Sequence, residues 1–170
     1  MISLVMTILG PDRPGVVESL SRRVTEHGAN WLESRMAHLA GQFAGIVHVE
    51  VDAAHADTLV EALRQLHDQD LTVIVQKDSA PLPSPPFAAL RLDVVGNDRA
   101  GIVHEVTRVL AERQVNVEEF QTECVRAPMS GGRLFRATAR LRLPAHLTAQ
   151  QLQAALEQIA HDLMVELKAE

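Results

Sequence analysis

Residues 10–33 return at an offset of 86. Gly10, Asp12, Arg13, Gly15, Val17, Arg22, Glu26, Asn30 and Glu33 meet the identical residues Gly96, Asp98, Arg99, Gly101, Val103, Arg108, Glu112, Asn116 and Glu119. Chance alone gives roughly one or two matches in such a window, so the chain is one unit written twice. Whatever 170 residues fold into must therefore be built from a module of about half that length. Between the copies, Ser79-Ala-Pro-Leu-Pro-Ser-Pro-Pro86 holds four prolines in eight residues. Such a run continues neither a helix nor a central strand and favours an extended spacer. The expected organisation is a first domain over 1–78, a proline-rich linker over 79–87 and a second domain over 88–170.

Each half has the same order of elements. Ile2–Ile8 alternates loosely as a strand, and Arg91–Val95 is its counterpart. A glycine turn follows, then a helix carrying Val16, Val17, Leu20 and Val24 in one copy and Ile102, Val103, Val106 and Leu110 in the other. Residues 31–38 and 43–51 read as a hairpin about Ala40-Gly41 that pairs 38 with 43 and 33 with 48. Leu59, Leu63 and Leu66, matched by Leu152, Leu156 and Ile159, mark a second helix. Residues 71–75 and 163–167 close the units as strands. The order is β-α-β-β-α-β twice, so the fold class is α+β: two tandem ferredoxin-like units, each a four-stranded antiparallel sheet with both helices on one face.

Several chemistries use this architecture, and the sequence speaks against most of them. Sixteen Lys and Arg against 22 Asp and Glu leave a net charge of −6, so no direct nucleic-acid binding is expected. The central strands offer Leu4, Met6, Phe43 and Val47, and Leu92, Val94, Phe135 and Ala139 in the second copy, with no aromatic platform for stacking bases. The eight histidines lack metal-ligand spacing, and the lone Cys124 falls on the inward parity of its strand, which reads as a small buried hydrophobe. Neither a nucleophile elbow nor a phosphate loop is present. A small hydrolase of the same fold would use an arginine in the first loop, where Arg13 stands, but the two-fold repetition argues against it. The expectation is a protein that is no enzyme and carries neither metal nor cofactor. No apolar run reaches the roughly 20 residues of a membrane span and no basic leader opens the sequence, so a cytoplasmic protein is expected.

Arg136, Arg140 and Arg142 share the outward side of one strand, with Glu119, Gln121 and Glu123 on its neighbour. Cross-strand charge pairing accounts for that pattern, and a protein-docking surface is the sharper alternative. The strongest local signal is Gly10-Pro-Asp-Arg-Pro-Gly15 with its copy Gly96-Asn-Asp-Arg-Ala-Gly101. Gly10 permits a sharp exit from the strand, Asp12 and Asp98 stand where a helix N-cap belongs, and Pro14 suits the first helical turn. Free N–H groups at a helix start attract a carboxylate, and a nearby side-chain carboxylate takes an ammonium. Asn30 and Asn116 open the following strands and are expected to approach the same place. A free amino acid suits that combination; on local chemistry alone a plain cap and a plain turn are the simpler explanation.

At these residues the sequence resembles the ACT domain family of amino-acid sensors. The resemblance rests on Gly-Pro-Asp-Arg-Pro-Gly-Val-Val at 10–17, the amphipathic helix, and His-Gly-Ala-Asn at 27–30, repeated as Asn-Asp-Arg-Ala-Gly-Ile-Val and Gln-Val-Asn. As a freestanding pair, and through the stretch from Gly28 to Phe43, the chain is similar to the glycine cleavage system transcriptional repressor group. That resemblance implies a ligand loop at Gly10, Pro11, Asp12, Arg13, Pro14 and Gly15 with Asn30, and a second at Asp98, Arg99 and Gly101 with Asn116. It implies a small amino acid, glycine or serine, as ligand, shared in many members between two modules. It further implies a protein partner, a transcriptional activator, with homodimerisation open. An amino-acid-sensing regulatory subunit of a metabolic enzyme is the alternative. Ala100 in place of Pro, Gln114 in place of Gly, and the longer hairpin at 128–132 set the second copy apart.

Overall fold

The computed structural model describes residues 1–77, 87–126, 132–159 and 161–169. The chain divides into two compact units, Met1–Leu82 and Pro83–Glu170. Of the expected linker, residues 79–86 lie outside the described residues, and Phe87 already belongs to a strand. Residues 128–131 of the longer second hairpin lie outside them too.

Unit 1 runs β1 (Ile2–Pro11), α1 (Val16–Glu26), β2 (Asn30–Leu39), β3 (Gln42–Val51), α2 (Ala56–Arg64), a 3-10 turn at Gln65–Gln69 and β4 (Thr72–Lys77). Unit 2 repeats the order as β5 (Phe87–Asn97), α3 (Ile102–Glu112), β6 (Asn116–Arg126), β7 (Arg133–Pro144), α4 (Ala149–Ile159) and β8 (Leu163–Ala169). The sheets have the matching orders β2-β3-β1-β4 and β6-β7-β5-β8, with every neighbouring pair antiparallel. This is the doubled ferredoxin-like arrangement that the repeat pattern predicts.

The alternation in the strands decides which face is covered. Leu4, Met6 and Ile8 of β1 and Val47, Val49 and Val51 of β3 are fully buried against Val16, Leu20 and Val24 of α1 and Leu59 and Leu63 of α2. In unit 2, Leu92, Val94 and Leu141 meet Ile102, Val106, Leu110, Leu152 and Leu156. Burying each such side chain contributes about 1.5–3 kcal/mol. No polar or charged residue is buried among the described residues, so the cores are held by apolar packing alone.

The hairpin register is the one read from Ala40-Gly41: His38 lies opposite Phe43 and Glu33 opposite His48, with a bulge between Trp31 and Glu33. Cys124 corrects an expectation. It has the inward parity but is exposed, because it lies on edge strand β6, of whose residues none is fully buried.

Candidate functional site

Each glycine turn sits at one end of its sheet. In unit 1, β1 stays paired with β3 through Gly10 opposite Phe43 and Pro11 opposite Gln42. Gly10 therefore lies inside the strand instead of ending it. Its missing side chain has a different cause: a Cβ there would stand 2.6 Å from the Asp70 carbonyl oxygen and 2.6 Å from Leu71 Cδ2. The start of β4 crosses so close that only glycine fits, and Gly96 meets Asp162 and Leu163 in the same way.

Beyond Pro11, the Asp12 N–H donates to the Gly41 carbonyl at 2.9 Å, as Asp98 N–H donates to Arg133 O at 2.9 Å. The helices then start from a left-handed residue, Gly15 with φ 91° and Gly101 with φ 94°. These glycines occupy the N-cap position, which corrects the reading of Asp12 and Asp98 as caps. Asp tolerates that backbone region less well than Gly, and both Asp residues stand three positions too early. Pro14 precedes the N-cap as well, so it shapes the approach to the helix and not its first turn. The first intrahelical bonds run from Ser19 N–H to Gly15 O and from Glu105 N–H to Gly101 O, both 2.9 Å, and no side chain caps either helix. The N–H groups of Val16, Val17 and Glu18 thus have no intrahelical acceptor and carry the positive end of the helix dipole.

The two copies differ in what surrounds the turn. In unit 1 the Asp12 carboxylate is 42% exposed and faces the His38 ring, Nδ1 to Oδ2 at 3.4 Å. Asp12 and His38 line a cleft of about 340 Å³ with Met36, Ala37 and Phe43. In unit 2, Asp98 is 25% exposed and lies 3.3 Å from the Arg133 guanidinium. Arg99 is clamped twice, to Glu105 at 2.8 and 2.7 Å and to Asp162 at 2.6 and 3.1 Å. Those hydrogen bonds hold the Glu105 and Asp162 carboxyls below their ordinary range and push the guanidinium further up. Unit 1 has Ser19 where unit 2 has Glu105, so the Glu105 arm of this clamp has no counterpart in unit 1. Asp98 and Arg99 are thus held by other charged side chains of unit 2, whereas the Asp12 carboxylate is the more exposed of the two aspartates and meets a histidine ring.

Asn30 and Asn116 open their strands as expected, but they do not join the turns within a unit. β1 and β2 both run antiparallel to β3 and so run parallel to each other. Asn30 lies opposite Glu50, which lies opposite Ser3, at the beginning of β1. The turn follows the other end, about 23 Å further along at about 3.3 Å per residue. Asn116, opposite Arg142, is separated from Gly96 in the same way. Met36, His38 and Phe43 are the residues that sequence reasoning missed. Their signal was present in the hairpin register, which sets His38 beside Phe43, but it needed the β1–β3 register to reach the turn.

The outward Arg and Glu rows of unit 2 pair across strands, Arg136 with Glu123 at 3.7 Å and Arg140 with Glu119 at 3.8 Å, while Arg142 caps the Phe87 ring at 4.1 Å. Among the described residues no group of three or more His, Cys, Asp or Glu could hold a metal ion. No described helix is long and apolar enough to cross a membrane.

Comparison with known proteins agrees with this geometry. ACT domain profiles match residues 3–76 and 90–160. The glycine cleavage system transcriptional repressor of Escherichia coli K12 is 30% identical over 171 residues, covering 98% of this chain and 86% of that one. A crystal structure of an unknown protein from Galdieria sulphuraria superposes with a TM-score of 0.89 at 33% identity, over 99% of this chain and 98% of that one. Another, provisionally described as a glycine cleavage system transcriptional repressor, gives 0.72 at 22% identity, over 99% and 97%, and speaks for the fold alone.

Proposed function

The chain belongs to the ACT domain family, in two tandem copies, and on that footing we propose that it is a non-enzymatic, amino-acid-responsive regulator of transcription that binds a DNA-binding regulator. It is a regulatory ACT protein, and its full-length similarity to a protein named as a transcriptional repressor carries the finer reading. The net charge of −6 supports contact with a protein in preference to phosphate backbones.

The ligand is a small amino acid, glycine or serine, and unit 1 is the module that takes it. The Asp12 carboxylate receives the ammonium. The N–H groups at the start of α1 receive the carboxylate, where hydrogen bonds and the helix dipole act together. Gly10, Pro11, Arg13, Pro14 and Gly15 give the turn its shape, and the cleft beside Met36 and Phe43 holds the remainder of the molecule. Asp98, Arg99 and Gly101 repeat the turn with its charges already engaged. Since one unit keeps its turn and its strand-opening asparagine apart, a ligand touching both is shared with a second copy of the chain that contributes its own Asn30.

Calorimetric titration with glycine, serine and a panel of other amino acids tests the ligand. Affinity capture with the tagged chain tests the partner. Saturable heat with one small amino acid, and capture of a DNA-binding regulator whose recovery changes with that amino acid, is the expected result. Capture of a metabolic enzyme with altered turnover makes the chain a regulatory subunit instead. Absence of heat with every amino acid removes the sensor reading.

A further inference from the structure

Duplication supplies an internal control for the outer faces of the two sheets, the faces without helices. The strand registers match the positions one by one. Val5, Thr7 and Leu9 of β1 correspond to Arg91, Asp93 and Val95 of β5. Ala44, Ile46 and His48 of β3 correspond to Arg136, Thr138 and Arg140 of β7, and Ile74 of β4 corresponds to Glu166 of β8. The same fold thus carries a charged outer face in unit 2 and an apolar one in unit 1. Leu9, Ile46 and Ile74 are 51%, 54% and 56% exposed. Thr7 lies opposite both Ile46 and Ile74, and Leu9 lies opposite both Ala44 and Thr72, so these side chains form two contiguous rows.

We propose that the outer sheet face of unit 1 is the dimer interface of this protein, packed against the same face of a second copy. The rows of Thr7 and Leu9 contain no charge over β3, β1 and β4, whereas Glu33, Arg35 and Glu50 lie toward the edge. That is an apolar centre with a charged margin, the anatomy of a protein interface. A two-fold contact requires a patch complementary to itself, and an uncharged face meets that condition without setting like charges together. The corresponding face of unit 2, with its rows of arginine and carboxylate, is solvated by its own cross-strand pairs. Two sheets stacked about 10 Å apart interdigitate such side chains. Four strands about 4.8 Å apart and seven residues at about 3.3 Å give a flat footprint of about 450 Å² per copy. Side-chain relief adds to that, so two copies reach the roughly 1,000 Å² at which specific interfaces begin.

Sedimentation equilibrium of the full chain from one to one hundred micromolar tests the proposal. The wild-type protein is expected at twice 18.6 kDa. The double variant Ile46→Glu, Ile74→Glu is expected at the monomer mass, with a dissociation constant raised at least tenfold. Thr138→Glu, at the position of unit 2 equivalent to Ile46, leaves the dimer intact. Thr7→Arg gives the same loss as the double variant through a charge of the opposite sign, which covers the case in which the double variant misfolds. A wild-type monomer throughout the range overturns the proposal and leaves the face to a different protein. A dimer retained in both unit 1 variants, or lost equally in Thr138→Glu, places the interface elsewhere and also overturns it.

Discussion

Replacing Asp12 by alanine separates two roles that the sequence leaves open. If the carboxylate capped α1, its loss would cost about 1 kcal/mol. The structure gives the N-cap to Gly15 and leaves the Asp12 carboxylate 42% exposed, 3.4 Å from His38. An exposed ion pair of this kind contributes little, and surface substitutions stay within about 0.5 kcal/mol. At about 4–8 °C per kcal/mol for a unit of this size, the melting temperature of Asp12→Ala should fall by no more than about 4 °C. Binding should respond far more. A hydrogen bond from an ammonium to a carboxylate is worth about 1.5–3 kcal/mol, which is roughly a 10- to 150-fold rise in Kd. Thermal unfolding and calorimetric titration with the amino acid bound by the wild type read the two effects separately. Asp12→Asn keeps the shape and removes the charge, so it should bind nearly as weakly as Asp12→Ala. A melting temperature lowered by 8 °C or more with an unchanged Kd would refute the reasoning and restore Asp12 to a structural role.

Two further predictions concern the turn's scaffold. Gly10→Ala forces a Cβ to 2.6 Å from the Asp70 carbonyl, a backbone atom that cannot step aside, and overpacking of this sort costs about 1–3 kcal/mol. Its melting temperature should fall by about 4 °C or more, and an unchanged melt would show that the strands separate freely at this point. Arg99→Gln removes the donor that holds the Glu105 and Asp162 carboxyls low. Stability from such carboxylates is present above their ordinary titration range and is lost as the pH falls through their lowered values. Denaturant unfolding should therefore show a shallower acid limb below about pH 4.5 in Arg99→Gln than in the wild type. Parallel acid limbs would mean that the clamp does not persist in solution.

Much of the architecture was legible because it depends on short-range pattern. Alternating Phe43, Gly45, Val47, Val49 and Val51 can bury only one face of β3, and Val16, Leu20 and Val24 can only line one side of a helix. The turn at Ala40-Gly41 fixed the hairpin register in advance. The site was less legible. Gly10 and Gly15 look alike as letters, yet one avoids the backbone at Asp70 and the other adopts φ 91°. Cys124 had the right parity for the core but sits on an edge strand that the helices leave open.

By itself, then, the sequence determined the duplication, the order of elements, the inward faces and the family, all of which follow from periodicity and local backbone preference. Only the tertiary structure decided that Asp12 faces His38 across a cleft while Asp98 is engaged by Arg133. It also decided that Asn30 lies at the far end of the sheet from the turn it was expected to join. These depend on which strands are neighbours and in what register, a long-range matter set by how two crossovers interleave around one hairpin. No local preference in the chain encodes it, because each side chain meets its partner only after the sheet has closed.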